Sequence, residues 1–138
     1  MSRVFVAKVD GDLHERLEEA LEWLDWKSII QGDSRVFIKP NLTNSFYKEG
    51  VTTSPAFLEA LVRILRTRCR NVALGEGDGG YHAWKAEEAL RRHGLYELQD
   101  KYGVEVVSLN DSPPEYLPVS VKGRTYEIPL PRRLTQET

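Results

Sequence analysis

Two short stretches of this chain of 138 residues gather side chains whose types and spacing could do chemistry. One begins Lys39-Pro40-Asn41, passes through Thr43 and Asn44, and ends Thr52-Thr53-Ser54-Pro55; the other is Gly75-Glu76-Gly77-Asp78-Gly79-Gly80, with His82 just beyond. Glu76 and Asp78 stand two positions apart in a glycine-rich loop. If they converged to about 4 Å, they would repel by roughly 1 kcal/mol in water and roughly 4 kcal/mol at an effective dielectric constant of 20. A hard cation relieves that repulsion, and so does an ammonium such as that of Lys39. Oxygen donors from Glu76, Asp78 and either Asn41 or Asp111 suit Mg²⁺ or Ca²⁺ better than zinc. His82 could join these donors at a transition-metal site. Glu76, Asp78 and Lys39 are therefore the candidate catalytic groups, and Glu76 and Asp78 the candidate metal ligands. The alternative is that the two acids cap the helix that follows and complement its dipole.

Thr52, Thr53 and Ser54 offer hydroxyls and backbone N–H groups ahead of a helix opened by Pro55, an arrangement that binds anions. With Lys39 they could hold a phosphate or carboxylate, with Asn41 and the backbone of Gly77, Gly79 and Gly80 completing the ligand-binding set. A solvated helix cap beside an extended lysine explains the same residues. Gly75, Gly77 and Gly80 also satisfy G-x-G-x-x-G after a strand and before a helix. A dinucleotide fits them poorly, because Glu76 and Asp78 would face a pyrophosphate and the next strand-end acid, Asp111, comes about thirty residues on rather than about twenty. No Lys-Ser or Lys-Thr follows the glycines, so this is not a phosphate-binding P-loop.

The elements that must position these residues can be read from apolar periodicity. Val4–Ala7 reads as a strand ending near Asp10, continuous enough to be covered on both faces. Asp12 and Glu15 form a capping box for a helix with Leu13, Leu17, Ala20, Leu21 and Leu24 on one face, running toward Gly32. Trp23, Trp26 and Ile30 fall on a second face, which either packs beneath a neighbouring loop or is exposed for a partner chain or second copy. Val36–Ile38 is the next strand, and Leu58, Leu61, Val62, Leu65 and Cys69 form the core stripe of the helix begun by Pro55. That stripe makes Cys69 a packed hydrophobe. Val72–Leu74 is a third strand, Tyr81–His93 a third helix ending at Gly94, and Val104–Val107 a fourth strand after a further helical turn. The strand–helix alternation predicts an α/β fold: a mostly parallel open sheet of about four strands flanked by helices. Leu117, Val119 and Val121 alternate with polar residues, and Gly123 turns the chain to Thr125–Ile128, predicting an antiparallel hairpin at the sheet edge. The expected organisation is a single domain over residues 1–128 and a flexible polar tail over 129–138. Ligands of open parallel sheets bind beyond the carboxyl ends of the strands. Lys8 and Asp10, Lys39 to Asn44, Glu76 to His82, and Asn110 with Asp111 all follow strands, so one shared edge is the expected site.

Composition narrows the function classes. Hydrophobic residues make up 41% and charged residues 29%, an ordinary globular balance. Nineteen Lys and Arg against 21 Asp and Glu give a formal charge of −2, which argues against nucleic-acid binding by counterion release. Arg63, Arg66, Arg68 and Arg70, and Arg91 and Arg92, sit toward helix C-termini, where the dipole favours cations; His14 and His93 read as surface or capping residues. No apolar run is long enough for a membrane helix, and Met1-Ser2-Arg3 does not open a signal peptide. A cytoplasmic location, no nucleic-acid partner and no membrane partner are the expectations. A single cysteine excludes an iron–sulfur cluster held by this chain alone.

Phe37-Ile38-Lys39-Pro40-Asn41-Leu42, Thr52-Thr53-Ser54-Pro55 and Gly75-Glu76-Gly77-Asp78-Gly79-Gly80, in that order, resemble the motifs of domain-of-unknown-function family 362 over roughly Val36 to Asn110. The biochemical role of that family is not established. Some of its members carry ferredoxin-like iron–sulfur modules, so the resemblance implies a link to redox or anaerobic metabolism. Members generally continue into a segment with a Lys-Thr-His-like motif, and nothing after Ile128 matches it. Together these readings lead to one main expectation: an anionic small molecule, with a divalent cation as the candidate cofactor, bound at the carboxyl edge of the sheet. The second expectation is a non-catalytic subunit or truncated domain that completes a site with a partner chain, an iron–sulfur redox protein among the candidates.

Overall fold

The structure, a computed structural model, describes residues 3–135. Its centre is a three-stranded parallel sheet in the order β1-β2-β3, formed by β1 (Arg35–Ile38), β2 (Asn71–Glu76) and β3 (Glu105–Ser108). Arg35 pairs with Asn71 and Ile38 with Leu74 on one side; Ala73 pairs with Glu105 and Glu76 with Ser108 on the other. Sequential order with the usual right-handed crossover puts the connecting helices on one face of the sheet. Side-chain alternation agrees. Val36, Ile38, Val72, Leu74 and Val106 point into the core with Leu58, Val62, Leu65, Leu90 and Leu95, whereas Phe37, Ala73 and Val107 on the opposite face stay only half-buried.

The helical layer consists of α1 (Leu13–Trp23), α2 (Trp26–Ile29), α3 (Pro55–Arg66), α4 (Ala86–Arg92) and α5 (Leu95–Tyr102). Asp12 caps α1 by accepting the His14 N–H at 2.8 Å. The expected single helix toward Gly32 instead breaks at Asp25, whose φ of 54° is left-handed and starts α2 in a new direction. That break swings Trp26 into the core, where it is 3% exposed; Ile30 packs on the same core, and Trp23 lies under Phe5 and Arg3 of its own chain. Of the three residues expected on a second helical face, Trp26 is buried, whereas Trp23 and Ile30 are half-buried. Cys69 is fully buried, as the helical stripe predicts, with its Sγ donating to the Ser34 carbonyl.

Arg66 and Arg68 are structural. Arg66 donates to the Tyr102 carbonyl at 2.9 Å, and Arg68 ties α3 to α2 through the Ile30 and Lys27 carbonyls. Glu59 joins α3 to α5, accepting from Lys101 and, at 2.8 Å, from the Tyr102 hydroxyl. These two donors hold its carboxyl below the ordinary value of 4.5.

Four expectations change at the periphery. Val4–Ala7 forms no strand; Val4 is 80% and Val6 88% exposed, and Lys8 and Asp10 pair with each other in an exposed segment. The sheet therefore has three strands, since nothing covers that run as a buried strand requires. The helix expected from Tyr81 begins only at Ala86, because Tyr81 takes φ 55° in a short 3₁₀ turn. The hairpin forms, but as a separate two-stranded sheet of β4 (Pro114–Val121) and β5 (Arg124–Pro131) rather than an extension of the parallel one. Finally, the tail expected to be flexible from residue 129 continues β5 to Pro131 and then forms α6 (Arg132–Thr135), anchored by Arg132 N–H to the Pro113 carbonyl at 2.9 Å and by an Arg133–Glu105 ion pair. Residues 136–138 lie outside the described residues.

Candidate functional site

Lys39 is the first residue beyond β1, and Glu76 is the last residue of β2. Parallel pairing puts both at the carboxyl edge, and their side chains meet, Lys39 Nζ to Glu76 Oε2 at 2.6 Å. The two partners differ in exposure: the Glu76 side chain is 11% exposed and that of Lys39 58%. Glu76 Oε1 also accepts the Gly77 N–H at 2.9 Å. The carboxylate is thereby fixed on two sides and holds an ammonium that still faces solvent.

Asp78 has a different task. Its Oδ1 accepts the N–H of Ala86, the first residue of α4, at 2.9 Å, and its Oδ2 pairs with Lys85 at 2.8 Å. Its own N–H donates to Asn110 Oδ1 at 2.6 Å, which brings the loop after β3 to the same edge. Glu76 and Asp78 are thus each neutralised by a separate lysine. Among the described residues no group of three His, Cys, Asp or Glu could hold a metal ion. The side chain of His82 lies outside the described residues.

The 39–53 loop is organised by the residues singled out as ligand donors. Asn41 and Thr53 exchange two bonds, the Asn41 N–H donating to Thr53 Oγ1 at 2.8 Å and the Thr53 N–H donating to the Asn41 carbonyl at 2.9 Å. The Asn41 amide donates to the Val51 carbonyl and accepts from the Thr43 hydroxyl. Thr52, 7% exposed, bonds through its hydroxyl to both the N–H and the carbonyl of Lys48. Ser54 caps α3 without a side-chain cap bond. Asn41, Thr52 and Thr53 therefore shape the loop, while the Lys39 side chain pairs with Glu76 and the Ser54 hydroxyl makes no cap bond to α3.

Trp84, which periodicity does not single out, locks the two loops together. Its indole Nε1 donates to the Thr43 carbonyl at 3.0 Å, and its carbonyl accepts the Gly79 N–H at 2.9 Å. A Cβ on Gly79 would lie 2.5 Å from the indole ring, so only glycine admits this packing. Gly77 sits against Asn110, and Gly80 faces open space. His93, expected at the surface, is buried at 5% exposure with Nε2 3.0 Å from the Asn44 carbonyl, and it pins the same loop from the end of α4. The only sequence signal for these two contacts is the Gly79-Gly80 pair close before Trp84.

The sequence model of a domain of unknown function, DUF362, matches residues 36–136. The chain belongs to this family. The match takes in all three parallel strands, the Lys39 and Glu76 loops, the hairpin and α6. No curated protein and no solved structure matches the chain. Among the described residues no helix is long and apolar enough to cross a membrane.

Proposed function

We propose that this DUF362 domain binds an anionic small molecule at the carboxyl edge of its parallel sheet, with Lys39 as the anchoring cation. The observation that carries the reading is the Lys39–Glu76 pair: a carboxylate nearly removed from water holds, at 2.6 Å, a lysine whose side chain is more than half exposed. A mobile lysine loses about 2 kcal/mol of rotamer entropy on being fixed, and here that cost is met before a ligand arrives. The free N–H groups of the first turn of α3, beside Ser54, add donors of the right polarity. Glu76 acts as positioning residue and as the nearest proton acceptor, while Asp78 maintains the loop through α4 and Lys85. A divalent cation enters this reading through the oxygens of Glu76 and Asp78 and binds only by displacing Lys39 or Lys85.

The test is a thermal-shift screen of orthophosphate, pyrophosphate, ATP and malonate, each with and without Mg²⁺. An anion at 100 times its Kd stabilises the fold by about 2.7 kcal/mol. The shift should disappear in Lys39→Gln and survive in Arg91→Gln, a charge-matched change on α4. A shift of equal size in both variants refutes Lys39 as the anchor.

A second reading, a domain that completes its site with a partner chain, is favoured by one observation. The β4–β5 hairpin carries Val119, Val121, Tyr126 and Ile128 on one face, each 40–50% exposed. Two-stranded hairpins are marginal by themselves. Sedimentation of the intact chain across a hundredfold concentration range tests self-association through this face, with Val119→Lys as the disrupting variant.

A further inference from the structure

Six aromatic side chains are exposed among the described residues: Phe46, Tyr47, Phe57, Tyr81, Tyr116 and Tyr126. Tyr116 and Tyr126 belong to the hairpin. The other four stand at the carboxyl edge of the parallel sheet, Phe46 and Tyr47 in the loop after β1, Phe57 in the first turn of α3 and Tyr81 in the loop after β2. We propose that this aromatic rim stacks on a planar ring, so that the ligand of the carboxyl-edge site is an aromatic ring joined to an anionic group. The proposal rests on the Lys39 reading above and adds the body of the ligand to its anionic end.

The loop after β1 has its own apolar anchor, Leu42, which is fully buried. Phe46 and Tyr47 lie between two braces, the Asn44 carbonyl 3.0 Å from His93 Nε2 and the Lys48 N–H donating to Thr52 Oγ1 at 2.9 Å. The segment is thus fixed at both ends with its aromatic residues toward water, Phe46 being 55% exposed. Tyr81 stands out further. Its φ of 55° and ψ of 26° are left-handed, a conformation disfavoured for residues other than glycine. The fully exposed ring recovers nothing from packing, and backbone strain of this kind collects at binding sites. Trp84 ties this loop to the first, its carbonyl accepting the Gly79 N–H at 2.9 Å and its Nε1 donating to the Thr43 carbonyl at 3.0 Å.

The Lys39–Glu76 pair decides what the rim is for. An ammonium has three N–H donors; Glu76 takes one at 2.6 Å and the Pro40 carbonyl, at 3.5 Å, a second. The third is left for an anion, but Glu76 already balances the charge, so an anion without a further contact gains little. Stacking supplies what the neutralised lysine does not, because an aromatic side chain offers its face to any planar π-system. Exposed apolar side chains gathered at one end of a domain mark a binding surface.

Isothermal titration of the full chain with AMP and with ribose 5-phosphate tests this, since the two share the sugar and the phosphate and differ in the ring. AMP is expected to bind saturably at one site and at least tenfold more tightly, about 1.4 kcal/mol. Phe46→Ala and Tyr81→Gly should each weaken AMP at least fivefold and leave ribose 5-phosphate unchanged, while Lys39→Gln should weaken both ligands. Tyr81→Gly is also expected to melt higher than the parent, which separates its lost affinity from unfolding. Tyr116→Ala, which removes an exposed tyrosine from the hairpin, should bind AMP as the parent does. Equal affinities for AMP and ribose 5-phosphate, both lowered by Lys39→Gln, overturn the ring and leave the lysine anchor standing. AMP binding that Lys39→Gln leaves intact overturns the anchor and the proposal with it. Absence of saturable AMP binding also overturns the proposal, as does equal weakening by Phe46→Ala and Tyr116→Ala. Full AMP affinity in both rim variants, with their sedimentation altered, makes the rim a contact between copies of the chain and overturns it as well.

Discussion

Replacing Gly79 by alanine tests how the two loops at the carboxyl edge are joined. The added Cβ would stand 2.5 Å from both Cε2 and Nε1 of Trp84 and 2.8 Å from Cδ1. Ordinary contact between heavy atoms begins near 3.5 Å, so the indole must retreat by about 1 Å. Overpacking of this kind costs about 1–3 kcal/mol. The displaced ring also loses its Nε1–H bond to the Thr43 carbonyl, 3.0 Å long, a further loss of about 0.5–1.5 kcal/mol. Gly79→Ala should therefore destabilise the protein by about 2–4 kcal/mol, read from urea unfolding followed by tryptophan fluorescence. Gly80→Ala is the internal control. It meets nothing within 4 Å and should change stability by no more than about 0.5 kcal/mol. Equal midpoints for the two variants would refute the packing of Trp84 on Gly79 and, with it, the coupling of the loops.

Three other perturbations follow from the same geometry. Asp78→Ala removes the acceptor of the Ala86 N–H and the partner of Lys85, and urea unfolding should show a loss of about 1–2 kcal/mol, with Asp78→Asn intermediate. Tyr81→Gly should stabilise by about 0.5–1 kcal/mol, because Tyr81 holds φ 55° with a fully exposed side chain; a lower melting temperature would refute strain at this position. Glu59→Gln should lower the urea midpoint at pH 7. The native carboxyl of Glu59 is held below 4.5 by Lys101 and Tyr102, so its contribution is present above about pH 4.5 and is lost as pH falls through the lower native value. The two proteins should therefore converge in acid, and a pH-independent difference would contradict the linkage.

The parallel sheet and its carboxyl edge were legible because strand and helix periods alternate cleanly from Val36 to Val107. Parallel strands that start at different points in the chain still end together, so Lys39, Glu76 and Asn110 had to share an edge whatever the strand order. The partner of each side chain was not legible. Asp78 could hold a cation or cap a helix, and the choice depends on where the helix begins; Tyr81 moves that start to Ala86. The roles of Asn41, Thr52 and Thr53 were hidden for a related reason. A loop rich in hydroxyls and amides can turn them inward as readily as toward a ligand, and only tertiary closure decides. Val4–Ala7 misled because an apolar β-branched run has the composition of a buried strand, while pairing requires a neighbour that local sequence does not name. Trp26 entered the core through the left-handed Asp25, which no helical periodicity signals.

The most direct test of the carboxyl-edge anion site is a ¹⁵N amide titration of the intact protein with inorganic phosphate. The Lys39–Glu76 site predicts saturable shifts at Gly77, Asp78, Ala56 and Phe57, flattened by Lys39→Gln. Shifts confined to Asn71 and Ala73 at the other end of the sheet, or a titration curve that Lys39→Gln leaves unchanged, would contradict it.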